Sequence, residues 1–317
     1  MVDASRLLIL TNKSDTTADL VVLAASHRGV PCARVNTEDV REFFAEYDQR
    51  GIAVASIVQA NGAVVSLEDV RGVWYRRPES PSLRRDIEPS TRKYVVEQWQ
   101  DAIEGLEALP WARWMSRPSA IRRAENKMLQ LSWASQHGFV IPHTTITNSP
   151  SRLQRLRATG ERLVSKTLGS ALIHDSAGDR FTYAFELSDA NAPAPAELEA
   201  CPVVFQTLIQ PARHLRVTVV GEGVFCAEVV PRSAAVIDWR AASDPPEVRR
   251  FTLPAEADRR CIDLVQEAGL SFASMDLLHA EDRFYFLDLN PNGEWAWIAR
   301  PTGYPIAEAI VDYLATE

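Results

Sequence analysis

The chain has 317 residues, which is too long for one small core, and chains of this size usually divide into two or three lobes. Its hydrophobic share of 46% and charged share of 24% are typical of a globular protein, and its net charge of −8 argues against a general affinity for nucleic acid. No apolar run approaches the roughly twenty residues of a membrane span, and the four scattered cysteines lack zinc-site or disulfide spacing. We therefore expect a cytoplasmic protein with reduced thiols, and neither nucleic acid nor membrane as a partner.

Residues 1–115 alternate strand-like and helix-like patterns, which predicts an N-terminal α/β domain with a mainly parallel sheet. A helix is predicted over residues 16–29, with a cap at Asp15 or Thr16. The Asn-Gly pair at 61–62 favours a hairpin turn, because both residue types tolerate positive φ. Strands are predicted at 6–10, 32–36, 52–58 and 70–78, and a second helix at 90–109.

A boundary is predicted in the Trp- and Pro-containing stretch at 110–120, followed by two further domains at 116–205 and 206–317. A single helix is predicted over residues 120–137, ended by Gly138. The other predicted elements are short strands and loops at 139–205, three strands within 203–231, a helix at 255–269, a strand pair at 271–289 and a last helix at 306–314.

Two acids and an amide occupy the predicted strand pair at 271–289 and the residue that follows it. Asp288 and Asn290 share one face of their strand, because alternate residues of a strand point the same way. If the hairpin loop holds an odd number of residues, Asp276 lies directly opposite Asp288, and the two charges repel unless one is protonated or a cation lies between them. Carboxylate and amide oxygens suit Mg²⁺ that is shared with phosphates. The alternative is that these are separate polar residues at strand ends.

Lysine is scarce in this chain, which has only Lys13, Lys93, Lys127 and Lys166. Lys127 lies in the predicted helix at 120–137. Lys166 ends an apolar strand and precedes a loop that contains Gly and Ser, where a lysine can meet phosphate as a point charge. The alternative for each is a solvated surface lysine.

Several further stretches are candidates for ligand contact. Arg216 lies among valines in "LRVTVVG", and a buried guanidinium needs an anion, either a ligand or a structural carboxylate. The run Asp238-Trp239-Arg240 suits a phosphate or peptide contact, or a surface ion pair in a loop. The basic run at 76–86 is most simply a solvated loop, or else a grip for an acidic peptide. "FQTLIQ" suits a hinge whose backbone groups pair with a flat heterocycle.

Taken in order, these pieces resemble the ATP-grasp ligases: a lysine before the lid, a lysine at a lid-strand end, a hinge, "LRVTVVG", "MDLL" and "FLDLNPNGEW". Within that superfamily, "GVWYRRP", "HLRVTVVG", "AVIDWR" and "DLNPNGEWAWI" are similar to the graspetide synthetases, which mature microviridin-type ribosomal peptides. The resemblance implies an α/β fold in which a Rossmann-like, pre-ATP-grasp domain precedes a two-lobed ATP-grasp fold.

The resemblance also implies a role for each candidate residue. Arg216 would stabilise the transferred phosphate, and Arg240 would join the phosphate or acceptor site. The implied ATP contacts are Lys127, Lys166, Gln206 and Leu208, and the implied Mg²⁺ ligands are Asp276, Asp288 and Asn290. The chain departs from the family at three places: Gln206-Thr207 stands where relatives often carry an acid, His214 stands where they often carry Asp, and the lid loop at 167–179 lacks a strong glycine-rich signature.

The implied activity is an ADP-forming ligation with ATP and Mg²⁺ as cofactors. An Asp or Glu side chain of a precursor peptide, made of leader and core, would become an acylphosphate and form an ω-ester or ω-amide bond with Thr, Ser or Lys. A homodimer is expected from the same resemblance. Two alternatives stay open: a glutathione-synthetase-like ligase acting on a small molecule or a protein terminus, and a nucleotide-binding relative without turnover.

Overall fold

The computed structural model describes residues 2–3, 7–49, 51–83, 86–169, 172–175, 178–232, 237–241 and 244–316. The first part of the chain forms two sheets with helices beside them. Its elements are β1 (Val2–Asp3), β2 (Leu7–Thr11), α1 (Thr16–His27), β3 (Cys32–Asn36), β4 (Val40–Asp48), β5 (Gly51–Gln59), β6 (Val64–Ser66), β7 (Gly72–Tyr75), α2 (Pro89–Glu104) and β8 (Arg113–Trp114), with short 3₁₀ turns at Thr37–Asp39 and Gly105–Ala108.

One of these sheets is parallel throughout, as predicted, with the strand order β3-β2-β7-β8. Its strand β2 lies between two parallel neighbours and is apolar on both faces, so residues 7–10 have no exposed surface. Gly72 of β7 lies against the C-terminal end of the chain, because an added Cβ would lie 2.5 Å from the carbonyl oxygen of Leu314. The N-terminal parallel sheet is therefore packed against the segment that contains Leu314, near the C-terminus.

The second sheet corrects the prediction for residues 52–58. That strand does not join the parallel sheet but lies in β5, within a sheet of order β1-β6-β5-β4 whose longer strands are antiparallel. The sequence does not predict β4, because its many charged residues hide the alternation of a strand. The predicted turn joins β5 to β6, with Gly62 at a φ of 83°.

The helix predicted over residues 120–137 is wrong, since the structure has two helices, α3 (Pro118–Ala124) and α4 (Lys127–Gln136). Asn126 causes the break. Its backbone is extended, and its side-chain oxygen accepts hydrogen bonds from the amides of Met128 and Leu129, as an N-cap does. Lys127 is consequently the first residue of a new helix.

The middle of the chain forms an antiparallel sheet of order β13-β10-β14-β9 and a separate hairpin of β11 with β12. Two helices here are not predicted by the sequence, and each begins at a proline, whose missing N–H costs nothing in the first turn. The elements are β9 (Thr144–Thr147), α5 (Pro150–Arg157), β10 (Leu163–Lys166), β11 (Leu172–Asp175), β12 (Gly178–Phe181), β13 (Phe185–Glu186), α6 (Pro195–Glu199) and β14 (Val203–Thr207).

The last part of the chain forms a five-stranded antiparallel sheet of order β17-β16-β15-β18-β19. The predicted hairpins and the predicted helices at 255–269 and 306–314 are confirmed, whereas α8 is not predicted. The elements are β15 (Arg213–Val220), β16 (Gly223–Val230), a 3₁₀ turn (Trp239–Ala241), β17 (Glu247–Arg250), α7 (Ala255–Glu267), β18 (Phe272–Ala280), β19 (Arg283–Asn290), α8 (Ala296–Thr302) and α9 (Ile306–Ala315). Among the described residues, no helix has the length and apolar character needed to cross a membrane.

Asp276 of β18 lies directly opposite Asp288 of β19, as predicted, but the reason differs. The hairpin turn holds two residues, Glu281 and Asp282, at φ values of 50° and 57°. A loop with an even number of residues would by itself place Asp276 opposite Leu287. The register shifts beside Asp276 and skips Leu287, and this β-bulge brings the two acids together.

Candidate active site

A cavity of about 560 Å³ opens between the central sheet and the C-terminal sheet, a volume typical of a small-molecule site. Every residue to which the resemblance gives a role lines this cavity, although these residues come from α4, from the central sheet and from the C-terminal part of the chain. They are Lys127, Lys166, Gln206, Leu208, Arg216, Arg240, Asp276, Asp288 and Asn290. The structure brings the whole set together, while the role of each residue stays a prediction.

The acidic pair is balanced by cations of the protein itself. Arg216 Nη1 donates to Asp276 Oδ1 at 2.9 Å, and Lys127 Nζ donates to Asp288 Oδ1 at 2.7 Å. Burial alone would raise the pKa of Asp276, but Arg216, assisted by Arg240, outweighs burial and holds that pKa below its usual value. Each carboxylate therefore has its own cation from the protein. The two acids can face each other without a metal ion between them.

The same groups nevertheless fit a divalent cation. Asp276, Asp288 and Asn290 offer hard oxygen ligands, and the two carboxylate side chains keep 23% and 33% of their surface exposed at the cavity. The described residues contain no group of three or more His, Cys, Asp or Glu that would hold a metal alone. Mg²⁺ is usually held by one or two carboxylates together with substrate phosphates, and Asp276 and Asp288 fit the protein's share of that donor set.

The sequence analysis missed Gln130, which fixes α4 to β19. Gln130 is buried, and its Nε2 donates to the carbonyl oxygens of Ala124 and Leu289 at 2.7 and 2.8 Å. Its Oε1 accepts from the Leu289 amide at 3.1 Å. These bonds hold Lys127, one turn earlier on the helix, beside Asp288. The only signal in the sequence is a single amide side chain among the buried residues of the helix.

Lys166 and Gln206 lie side by side on the central sheet. Lys166 Nζ donates to Gln206 Oε1 at 2.7 Å, and Gln206 Nε2 donates to Thr144 Oγ1 at 2.9 Å. Burial lowers the pKa of Lys166 to about 8, against the attraction of Asp288 and with the help of Lys127. Lys166 therefore holds its proton less firmly than an ordinary lysine, and an anionic ligand would stabilise its charged form.

The predicted hinge has an apolar surface in the cavity. The Leu208 amide donates to the Arg162 carbonyl oxygen at 2.8 Å, so this N–H group is committed to the protein. Around Leu208, the cavity wall includes Ile146, Val164 and Val204. The wall thus combines apolar surface with several charged side chains, as a site for a molecule with a flat ring and an anionic group requires.

Arg216 is buried in the middle of β15 with 7% of its surface exposed. Besides its bond to Asp276, its Nη2 donates to the Glu294 carbonyl oxygen at 3.2 Å, and its Nε has no hydrogen-bond partner among the described residues. Gly293 packs against it, because an added Cβ would lie 2.9 Å from Nη2 and 2.3 Å from the Ser274 Cβ. The structural carboxylate of the sequence analysis is present in Asp276, and a ligand anion at this guanidinium stays a prediction.

Arg240 and Asp238 form a two-pronged ion pair, with both N–O distances at 2.8 Å. Asp238 is buried and also accepts from the amide of Ala184, at 3.3 Å, so the ion pair of the alternative is present but only Arg240 reaches the surface. The bond to Asp238 raises the pKa of Arg240 against the effect of burial, and Asp276 adds to the rise. Arg240 remains a firmly charged, half-exposed group on the cavity wall.

The basic run at 76–86 begins with a buried residue and not with a solvated one. Residues 84–85 of this run lie outside the described residues. Arg76 has no exposed surface. It donates through Nη2 to Glu294 Oε1 at 2.7 Å and through Nη1 to the Asn292 carbonyl oxygen. The start of this run is therefore anchored to the segment that follows β19.

Known proteins share the fold described above and match the sequence of its N-terminal part. Residues 6–122 match the family model described as the MvdD pre-ATP grasp domain. The macrocyclase MdnB from Microcystis aeruginosa MRC superposes with a TM-score of 0.80 at 28% identity, over 99% of this chain and 100% of that one. A RiPP-associated ATP-grasp ligase from Chryseobacterium gregarium, solved with ADP and a leader and core peptide, superposes with a TM-score of 0.85 at 24% identity, over 98% of this chain and 96% of that one.

A curated relative, a probable alpha-L-glutamate ligase from Enterobacter sp. (strain 638), is 27% identical over 205 residues. The match covers 62% of this chain and 65% of the relative's length. The α/β architecture with a pre-ATP-grasp domain and an ATP-grasp fold is thus confirmed.

Proposed function

We propose that this protein is an ATP- and Mg²⁺-dependent ligase that crosslinks side chains of a ribosomally made precursor peptide. The observation that carries the proposal is one cavity in which two facing carboxylates, an amide, two lysines and two arginines converge. No single one of these groups is diagnostic. Together they supply phosphate-binding cations, metal-binding oxygens and a buried arginine in one place.

In the proposed complex, Lys127 and Lys166 bind the phosphates of ATP. The adenine lies against the hinge, flanked by Gln206 and Leu208. Asp276, Asp288 and Asn290 would hold Mg²⁺, which supplies charge neutralisation across the phosphates. Lys127 and Arg216 pair with the two acids in this structure, and both cations would be available to contact phosphate if Asp276 and Asp288 held Mg²⁺ instead.

The reaction we propose has two chemical steps. A carboxylate oxygen of a precursor Asp or Glu attacks the γ-phosphorus of ATP and ADP leaves, which gives an acylphosphate. A Thr or Ser hydroxyl, or a Lys amine, then attacks the acyl carbon, loses its proton and expels phosphate. Arg216 stabilises the charge on the transferred phosphoryl group and Arg240 the phosphate or the acceptor. The protein contributes placement and electrostatic stabilisation rather than a covalent intermediate of its own.

The substrate class is supported by the structural neighbours, which include a macrocyclase and a ligase solved with a leader and core peptide. The curated relative favours a second candidate, in which glutamate is ligated to a small molecule or a protein terminus. Both candidates use the same nucleotide residues, so the second substrate is what separates them.

Mass spectrometry of a candidate precursor, incubated with the protein, ATP and Mg²⁺, distinguishes the candidates. Crosslinking removes the mass of one water for each bond formed, whereas glutamate ligation adds the mass of a glutamate residue to its acceptor. An ATP-dependent loss of water that is absent with Asp288→Asn supports the proposal. Glutamate addition, or ADP release with small amines and an unchanged precursor, would favour the second candidate.

Other features are proposed on the same basis. We infer three domains at 1–115, 116–205 and 206–317, a homodimer, and a cytoplasmic location. Limited proteolysis tests the first inference and light scattering of the purified protein tests the second. A monomer at micromolar concentration would contradict the homodimer.

A further inference from the structure

Glu294 contacts two different parts of the molecule with its side chain and its backbone. Its carboxylate accepts from Arg76 Nη2 and forms an ion pair with Arg77 Nη1, each at 2.7 Å, and accepts from Thr17 Oγ1 at 2.5 Å. All three partners belong to the N-terminal α/β part. Its carbonyl oxygen accepts from Arg216 Nη2 at 3.2 Å, inside the cavity region. Glu294 therefore joins the N-terminal part of the chain to the arginine proposed to stabilise the transferred phosphate.

Arg76 is an unusual residue to bury so completely. Its Nε has no hydrogen-bond partner among the described residues and lies 3.7 Å from Asp15 Oδ2. Burial, together with the neighbouring Arg77, lowers the pKa of Arg76 to about 10, although Glu294 and Asp15 oppose the change. An incompletely partnered buried charge lowers stability relative to an apolar side chain of similar size. Stability alone therefore does not explain a buried Arg76, whereas its bonds to Asn292 and Glu294 do.

The segment at 290–294 has little freedom to move independently. Asn290 Oδ1 accepts from the Asn292 amide at 3.0 Å, and the Asn290 carbonyl oxygen accepts from the Gly293 amide at 3.1 Å. Gly293 already touches Ser274 and Arg216 closely enough to exclude a Cβ. A shift of this segment would therefore displace both the Asn290 amide and the carbonyl oxygen that holds Arg216.

We propose that Arg76 is a positioning residue that acts through Asn292 and Glu294 to place Arg216 and Asn290 for catalysis. The inference rests on the proposed function, because it assumes that Arg216 acts on the transferred phosphate. It predicts that an N-terminal residue without access to the cavity controls the rate of phosphoryl transfer more than the binding of ATP.

The test compares Arg76→Gln and Glu294→Ala with the control variant Arg28→Gln. Arg28 also joins the N-terminal part to the C-terminal part, by an exposed two-pronged pair with Asp312 at 2.7 and 2.9 Å. Glu294→Ala removes the side-chain contacts but keeps the backbone carbonyl, and Glu294 is partly exposed, so this variant keeps the test open if Arg76→Gln folds poorly. The readouts are kcat and KM for ATP in ADP release, the melting temperature, and hydrogen exchange of residues 290–294.

We expect Arg76→Gln to lower kcat by about a hundredfold and Glu294→Ala by about tenfold or more, with KM for ATP within about threefold of wild type. Hydrogen exchange over 290–294 should be faster in both, and Arg28→Gln should stay within about twofold of wild type in every kinetic readout. An unchanged kcat in both folded variants, or equal losses in kcat and in ATP affinity, would overturn the proposal. If the wild type shows no turnover, the proposed function fails. The positioning role of Arg76 is then judged by hydrogen exchange alone. Equal exchange rates over 290–294 in Arg76→Gln and Arg28→Gln would overturn that role.

Discussion

Two interior strands of the molecule, β2 and β15, are buried over most of their length but carry different residues. Strand β2 lies inside the parallel N-terminal sheet, and residues 7–10 are apolar without exception. Strand β15 lies at the centre of the C-terminal sheet and contains Arg216 and Thr218 among buried Leu and Val side chains. Burying a guanidinium costs stability unless it is paired, so the second strand keeps a residue that packing alone would not select. The buried charge thus distinguishes β2, which only stabilises the fold, from β15, which also carries a residue of the proposed active site.

The largest expected effect comes from Arg216→Ala. Removal of a charge donor aimed at the transferred phosphate should lower the rate of ATP-dependent ligation by about 10²–10³-fold. The matched control is Arg213→Ala, on the same strand, because Arg213 pairs with Glu228 and does not line the cavity. Steady-state ADP release measures both variants. Near-normal turnover in Arg216→Ala would remove this residue from the mechanism.

Ile9→Ala tests the other side of the comparison. Ile9 has no exposed surface, and its truncation should lower the free energy of unfolding by about 2–5 kcal/mol. The rate per folded molecule should remain within about twofold of wild type, since β2 supports the fold and not the site. Urea unfolding and activity at low temperature give the two values. A stable Ile9→Ala protein with a large loss of rate would contradict the distinction between the strands.

Asp288→Asn tests the proposed metal site. The variant keeps the shape of the side chain but loses a charge, so half-maximal activity should require at least about tenfold more Mg²⁺. Asp263→Asn is a suitable control, because Asp263 pairs with Arg259 on α7, away from the cavity. An unchanged Mg²⁺ titration would show that Asp288 is not a ligand.

A smaller effect is expected from pH, through Lys166. Because its pKa is lowered to about 8, Lys166 loses its charge as pH rises through that value, whereas an ordinary lysine stays charged to about 10.5. KM for ATP should therefore increase by about tenfold between about pH 7 and pH 9. Lys166→Arg stays charged and should flatten the profile. The same pH dependence in both proteins would assign it to another group.

The sequence predicts which residues converge at the cavity better than it predicts the elements around them. Arg216, Lys166, Asp276 and Asp288 stand out because charged residues at the ends or centres of apolar strands need a partner. Their convergence follows from sheet topology and from the resemblance to the ATP-grasp ligases. The facing position of the two acids depends on a bulge at Leu287, and nothing in the local sequence reveals it.

The wrong predictions for the helix at 120–137 and for Arg76 also arise from contacts that the sequence does not show. Asn126 is compatible with a helix interior on propensity alone, and only its cap bonds show that a new helix begins there. Arg76 belongs to a run rich in charge and proline, which is typical of an exposed loop. Its burial depends on Glu294, which lies 218 positions later in the chain. Contacts of such long range cannot be predicted from one sequence.

Isotope transfer tests the central claim most directly. A precursor whose acidic side chains carry ¹⁸O would be incubated with the protein, ATP and Mg²⁺, and the released phosphate analysed by mass spectrometry. The proposed acylphosphate predicts one ¹⁸O atom transferred to phosphate for each crosslink, with ADP as the other product. Crosslinked peptide with unlabelled phosphate, or with AMP in place of ADP, would contradict the mechanism.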